Sequence, residues 1–226
     1  MLGENIGEVR GFRGFGDKKI MVKTTWTLLF ALLLAFGASA ENGYRLWLRY
    51  DKVRDEVMLK AYRSQINYFV VEGSTPTLEA ARKELEIGLV GMLDEPQLPW
   101  QKLIAGQGIV AGVLGQSPSI DREIGAAEAS KLQPEGYVLI KKGKQLLIAA
   151  KDDKGVLYGV FHLLRLLQTN QPFDNLHIVE NPKLQLRILN HWDNLDRTVE
   201  RGYAGFSIWN WHTLPDYLDP RYTDYA

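Results

Sequence analysis

Hydrophobic and polar positions along residues 44–168 switch repeatedly between a period of two and a period of three to four, which predicts strands alternating with helices. Strands are predicted where alternation or a short β-branched run ends in a turn residue. The predicted strands are residues 44–50, 67–72 and 108–114, and a hairpin of residues 136–140 and 145–150 that turns at Lys142-Gly143.

Three helices are predicted between these strands. Thr75 caps the first, with Pro76 in its first turn and apolar residues continuing to Met92, and residues 119–132 form a weaker second one. Asp152 and Asp153 open the third, whose apolar side runs from Val156 to Leu167. Paired acids of this kind also suit acid–base catalysis, but a helix cap explains them better. Together these elements predict an α/β fold, an N-terminal sandwich layer built on a mixed sheet.

The character of the chain changes after a polar connection with two prolines, residues 171–182. Leu184, Leu186 and Ile188 then alternate with polar residues, which indicates another strand, and a dense polar and aromatic run follows it directly. In a (β/α)8 barrel the chemistry lies at the carboxyl ends of the strands. We therefore predict an α/β domain over residues 41–180 and a second domain that begins at residue 181, with a candidate site directly after its first strand.

Residues 23–40 have the features of an export signal: a basic start, an apolar run and the small residues Ala38 and Ala40. The run is short for a transmembrane span, so cleavage is favoured over an uncleaved anchor or a buried helix. Residues 1–40 are accordingly interpreted as leader and signal peptide. The remaining protein is expected to be periplasmic or extracellular, without stable membrane insertion.

Composition removes several classes of function. The 27 basic and 27 acidic side chains balance, so there is no electrostatic basis for binding nucleic acid. Cysteine is absent, which excludes disulfides and thiolate chemistry. The four histidines show no metal-ligand spacing, and the glycines at 106, 108 and 112 lead into a strand rather than a helix, so neither a metal nor a dinucleotide cofactor is expected.

Residues 190–211 are the strongest candidate site. They combine three tryptophans with amides, carboxylates and arginines around two glycines. A sugar ring offers apolar faces rimmed by hydroxyl groups, and it is bound by this mixture of flat aromatic and polar groups. The alternative is a structural corner with buried tryptophans. Function is favoured for Trp192, while Trp209 and Trp211 remain open between the two interpretations.

At this cluster the sequence resembles the glycoside hydrolase family 67 α-glucuronidases. The run from Arg187 through Asn190-His191-Trp192-Asp193-Asn194 to Asp196, followed by residues 200–205, is similar to that family's first barrel strand and its loop. Upstream, residues 135–137 and 155–164 resemble the N-terminal domain that the family shares with hexosaminidase-type hydrolases, and residues 41–51 resemble the start of the mature protein.

The resemblance implies hydrolysis, with inversion, of the α-1,2 bond between (4-O-methyl-)glucuronic acid and xylose in glucuronoxylan-derived oligosaccharides. It also implies that residues 181–226 are the first strand and helix of a (β/α)8 barrel. The catalytic acid and base then come from later barrel strands, so no catalytic residue is expected within this chain. The residues expected to contact sugar are Trp192, His191, Asp193 and Asn194. A homodimer of the full-length protein is a further possibility. Two alternatives stay open at this point: a non-catalytic carbohydrate-binding or scaffold module, and a hexosaminidase-like hydrolase.

Export gives the first testable prediction. We expect cleavage after Ala40, because small residues at positions 38 and 40 match the requirement of a signal peptidase. N-terminal sequencing of the exported protein should read Glu41 first. An exported protein that still begins at Met21 would contradict the assignment.

Overall fold

The structure is a computed structural model, and it describes residues 49–96, 106–188, 190–202 and 205–222. Residues from Arg45 onward form one compact unit, to which everything described below belongs. The predicted signal peptide and its cleavage site lie outside the described residues. So does most of the predicted strand 44–50, of which Arg49 and Tyr50 are described and are not in a strand.

A five-stranded mixed sheet is the centre of the fold, in the order β1-β2-β4-β3-β5. Strands β1, β2 and β4 run parallel, while β3 is antiparallel to both β4 and β5. The predicted mixed sheet and hairpin are therefore confirmed, although Lys142 pairs with Gln145 and the two loop residues are Gly143 and Lys144. The strands are β1 Phe69–Val71, β2 Gly108–Val113, β3 Tyr137–Lys142, β4 Gln145–Ala150 and β5 His177–Glu180.

Helices cover both faces of this sheet. The helices are α1 Glu56–Gln65, α2 Pro76–Leu93, α3 Pro118–Glu123, α4 Ala126–Ala129 and α5 Asp153–Gln168. Residues Leu146 and Ile148 of β4 belong to a core shared with α1, α2 and α5, whereas Leu147 and Ala149 belong to a second core shared with α3. This alternation is the period-two pattern of a strand that is buried on both faces.

Glycines allow the closest approaches in the larger core. A Cβ on Gly159 of α5 would lie 2.5 Å from Cγ2 of Ile148, and one on Gly88 of α2 would lie 2.6 Å from Cδ2 of Leu164. Both distances are too short for real atoms, so α5 packs against β4 and against α2 only because these positions lack side chains.

Local caps form as the sequence predicts. The Thr75 hydroxyl accepts a hydrogen bond from the Leu78 amide at 3.3 Å at the start of α2. Asp152 caps α5: Oδ1 accepts from the Gly155 amide at 3.0 Å, and Oδ2 accepts from the Glu135 amide at 2.7 Å. The Asp153 carboxylate accepts from the Thr75 hydroxyl at 2.6 Å. Both acids therefore have structural partners, which supports the cap interpretation over a catalytic pair.

Other elements differ from the prediction. Helix α1 was not predicted, and the expected helix over residues 119–132 is instead α3 and α4, because Ile124 and Gly125 between them have extended backbone. The connection 171–182 contains β5, which pairs with β3 at the edge of the sheet. Residues 184–188 do not form the predicted strand: no described segment pairs with them, and Leu184, Leu186 and Ile188 are exposed.

Strand β3 is joined to α5 by a polar contact. Tyr137 Oη lies 2.8 Å from Nδ1 of His162, and the two rings meet edge to face. Burial raises the pKa of Tyr137 to about 12, and burial followed by the nearby Arg165 charge lowers the pKa of His162. A neutral imidazole accepting from a protonated phenol satisfies both groups, so this histidine has a structural role.

The double role of Asp152 yields a stability prediction. Asp152→Ala removes the α5 cap and the acceptor of the Glu135 amide, and we expect a loss of about 2 kcal/mol in the free energy of unfolding. Chemical denaturation followed by circular dichroism measures it. Asp153→Ala, the matched control, should cost less than about 1 kcal/mol, because Asp153 is not the cap and loses only an exposed hydrogen bond from the Thr75 hydroxyl. Equal losses in both variants would contradict the assignment.

Candidate functional site

Residues 192–202 and 205–207, which we call the Trp192 loop, fold so that three short stretches of chain lie side by side. Asp193 bridges Val199, and Thr198 bridges Phe206, so the middle stretch pairs with both of its neighbours. The Glu200 amide donates to the Trp192 carbonyl at 2.7 Å. The backbone around the predicted sugar-contacting residues is therefore held by the loop itself.

Asn194 organises this loop. Its side-chain Nδ2 donates to Thr198 Oγ1 at 2.9 Å and to the Glu200 carbonyl at 2.7 Å. Its backbone amide donates to the Thr198 carbonyl at 2.9 Å. The side-chain amide uses its nitrogen within the loop, and the backbone carbonyl accepts from the Arg197 amide at 2.9 Å. Asn194 therefore acts first as a structural residue, and its side-chain Oδ1 is the atom that can accept from a ligand.

A tight turn follows Asn194. Asp196 Oδ1 accepts hydrogen bonds from both the amide and the hydroxyl of Thr198, at 2.9 and 2.6 Å. These bonds, the hydroxyl first, hold the pKa of Asp196 below its usual value. Arg197 and Glu200 have positive φ angles of 72° and 52°. Side chains with a short polar group stabilise such turns, and Thr198 is the loop residue that the sequence reasoning missed. The Asn-x-Asp-x-Thr spacing could have indicated it.

Trp209 lies inside an aromatic stack. It stacks on Tyr222 with ring centroids 4.1 Å apart and meets His191 edge to face at 5.4 Å. Its Nε1 is buried and has no hydrogen-bond partner among the described residues. This packing favours the structural interpretation for Trp209, and the contact with Trp209 restricts the orientation of the His191 ring.

Trp192 has the opposite environment, with 62% of its surface exposed. Asp193 beside it is partly buried, and His191 is exposed. Trp211, the third tryptophan, is also exposed. The structure thus places an imidazole, an open indole and a carboxylate on three consecutive residues at the start of a hydrogen-bonded loop. An exposed aromatic face beside polar groups can bind the apolar face and the rim hydroxyls of a sugar ring.

Two of the other histidines have partners in the α/β fold. His162 contacts Tyr137, and Nε2 of His177 lies 3.0 Å from a carboxylate oxygen of Glu128. Among the described residues, no group of three histidine, aspartate or glutamate side chains could hold a metal ion. In the same part of the chain, no helix is long and apolar enough to cross a membrane.

A cavity of about 380 Å³ lies next to the start of α1 and the end of α5, and its lining residues do not include those of the loop. Charged and amide groups line it, among them Arg49, Lys52 and Gln168. Lys52 pairs with Asp94 at 3.2 Å, and Tyr50, the aromatic residue of the lining, is 4% exposed. Without an open aromatic face, this cavity suits a sugar less well than the Trp192 loop.

Comparison with known proteins places both parts of the chain in one family. Residues 46–163 match the family described as "Glycosyl hydrolase family 67 N-terminus", and residues 166–226 match its "middle domain". "Probable alpha-glucuronidase A" of Aspergillus niger is 32% identical over 185 residues, covering 80% of this chain and 21% of that protein. "Alpha-glucuronidase A" of Aspergillus tubingensis has the same identity and coverage. The chain therefore spans about a fifth of the length of these relatives.

Two solved structures show partial similarity. A family GH138 enzyme targeting pectin rhamnogalacturonan II matches with a TM-score of 0.38 and 18% identity, over 54% of this chain and 12% of that one. A family GH115 4-O-methyl-alpha-glucuronidase with specificity for decorated arabinogalactans matches with a TM-score of 0.37 and 22% identity, over 46% of this chain and 14% of that one.

The two consecutive family matches, together covering most of the described fold and the Trp192 loop, show that the chain belongs to glycoside hydrolase family 67.

Proposed function

We propose that this chain is the N-terminal part of an exported α-glucuronidase that hydrolyses the α-1,2 bond between (4-O-methyl-)glucuronic acid and xylose in xylan fragments. The observation that carries the proposal is the exposed indole of Trp192 on a rigid loop, in a segment that matches the family's middle domain. The relatives named α-glucuronidase supply the reaction class.

Each group on the loop has a distinct use in such a site. The Trp192 indole covers an apolar face of the sugar and offers an N–H donor. The Asp193 carboxylate accepts from sugar hydroxyls, and the side-chain Oδ1 of Asn194 is a second acceptor. His191, packed on Trp209, presents an imidazole whose orientation is restricted. Because the loop is held by its own hydrogen bonds, these groups are arranged before the sugar arrives, which reduces the entropic cost of binding.

Catalysis by inversion needs two carboxyl groups about 6.5 to 9.5 Å apart, one acting as acid and one as base for water. We assign these to later barrel strands, as the family resemblance implies. The exposed alternating side chains of residues 184–188 support a barrel, since a first barrel strand acquires its pairing and its apolar cover from neighbouring strands. On this proposal residues 41–180 form the hexosaminidase-type domain and residues 181–226 begin the barrel.

The 226-residue chain alone is expected to be inactive. Loss of a catalytic acid or base costs orders of magnitude in rate, and the proposal assigns both to other parts of the enzyme. Incubation of the purified chain with 4-O-methylglucuronoxylo-oligosaccharides, followed by chromatography of the products, should show no free uronic acid. Release of 4-O-methylglucuronic acid above the level of a boiled sample would overturn the assignment of the carboxylates.

Trp192 gives the direct test of the sugar contact. We define the hybrid enzyme as the Aspergillus tubingensis α-glucuronidase in which residues 46–226 of this chain replace the matching part. Trp192→Ala in this hybrid should lower kcat/KM about ten- to a hundredfold, because an indole that is covered by substrate contributes on the order of 1 to 3 kcal/mol.

Leu195→Ala is the matched control, since Leu195 is also an exposed apolar residue of the same loop. Its kcat/KM should stay within about twofold of the parent hybrid. Thermal unfolding is recorded on the same preparations. A Trp192→Ala hybrid with a lowered melting temperature and unchanged kcat/KM would show that the ring is structural. Sugar binding by the 226-residue chain, together with a folded hybrid that shows no turnover, would instead favour a carbohydrate-binding module.

A further inference from the structure

Arg187 joins the segment that carries the sugar-contacting residues to the α/β fold. Its guanidinium donates to the Glu135 carboxylate and to the Tyr158 hydroxyl, the latter at 3.3 Å. It also lies over the Tyr158 ring, 5.5 Å from the centroid. Glu135 precedes β3, and Tyr158 lies on α5, so two elements of the α/β fold meet one side chain from the segment that follows β5. We call Arg187, Glu135 and Tyr158 the Arg187 contact.

Contacts that do not involve Arg187 also hold Glu135 in place. Its φ angle is +62°, which is uncommon for a residue with a side chain, and its amide donates to the α5 cap Asp152 at 2.7 Å. One carboxylate oxygen accepts from Lys154 at 3.1 Å, and the other accepts from Arg187. The hydrogen bond from Arg187, and then that from Lys154, keeps the pKa of Glu135 below its usual value. The carboxylate is thus a fixed, ionised acceptor.

Arg187 in turn shapes its own segment, because its other terminal nitrogen donates to the Leu184 carbonyl at 2.7 Å. Asn181 anchors the beginning of the same segment: its Oδ1 accepts from the Gln133 amide at 2.8 Å and its Nδ2 donates to the Lys131 carbonyl at 3.0 Å. The apolar side chains between these anchors are exposed and contribute little packing. Polar contacts with residues 131–135 and with α5 therefore set the position of residues 181–187.

Only three residues separate Arg187 from His191 and four from Trp192. We propose that Glu135 and Tyr158 act through Arg187 as positioning residues for the sugar-contacting segment His191–Asn194. This inference rests on the proposed function for its effect on sugar, while the docking of the segment can be measured without any sugar. An ion pair within a network that also contains a ring contact is a stronger restraint than an isolated surface pair.

The docking is tested in the full 226-residue chain by hydrogen–deuterium exchange. Glu135→Gln and Arg187→Gln should each speed exchange of amides in residues 190–202 about two- to tenfold. The double variant should behave like either single variant, because both remove the same contact. Amides of β2 and β4 serve as an internal measure of intact folding. Arg122→Gln, which alters an exposed arginine on α3, is the control and should leave residues 190–202 unchanged.

The effect on sugar is tested in the hybrid enzyme with Glu135→Gln, Arg187→Gln and Arg187→Lys. Glu135→Gln and Arg187→Gln should raise KM about two- to tenfold and leave kcat within about twofold, because they misplace binding groups rather than catalytic carboxylates. Arg187→Lys should rescue less than half of the loss, since an ammonium cannot reproduce the planar contact with carboxylate and ring.

The outcomes separate the two proposals. Unchanged exchange in residues 190–202 in both variants would overturn the Arg187 contact as a restraint. Faster exchange with unchanged KM in an active hybrid would overturn its role in positioning sugar contacts. A folded hybrid that is inactive even without substitutions would count against the proposed function, while the exchange data would still decide whether the contact docks the segment.

Discussion

Helix α5 lies so close to the sheet and to α2 that two positions of the interface must be glycine. Gly159 meets Ile148 of β4, and Gly88 of α2 meets Leu164 of α5, at distances that exclude a Cβ. This packing buries the apolar side of α5 completely, from Val156 to Leu167. Close-packed interiors of this kind provide the main favourable free energy of folding. The position of α5 therefore determines the positions of the residues that contact its ends and its outer face.

The first turns of α5 carry that position outward to the candidate site. Asp152 caps the helix and holds the Glu135 backbone, while Lys154 and Tyr158 flank the Glu135 carboxylate and Arg187. The chain of contacts runs from the buried core to a capped helix end, then to an ion pair, and finally to the segment before His191. Through these contacts the α/β fold determines the positions of side chains that follow it in the chain.

The Trp192 loop has a different source of order. Its shape comes from hydrogen bonds within residues 192–207 and from the stack of His191, Trp209 and Tyr222. One tryptophan of this region is used for packing and another is presented to solvent. A hydrogen-bonded loop with an exposed indole, attached to a well-packed fold through a few polar contacts, is the arrangement that the proposed sugar contact requires.

The sequence by itself determined what depends on neighbouring residues. Thr75 and Asp152 predicted the caps of α2 and α5, and hydrophobic periodicity predicted most of the sheet. Helix α1 was missed, although its cap Asp55 and its buried residues Leu59 and Tyr62 follow the helical spacing. Only the tertiary structure decided which tryptophan is packed and which is open, that β5 joins the sheet through β3, and that Glu135 meets Arg187 across 52 positions of sequence. Likewise, residues 184–188 have strand periodicity but form no strand, because a strand needs a partner that periodicity alone does not supply.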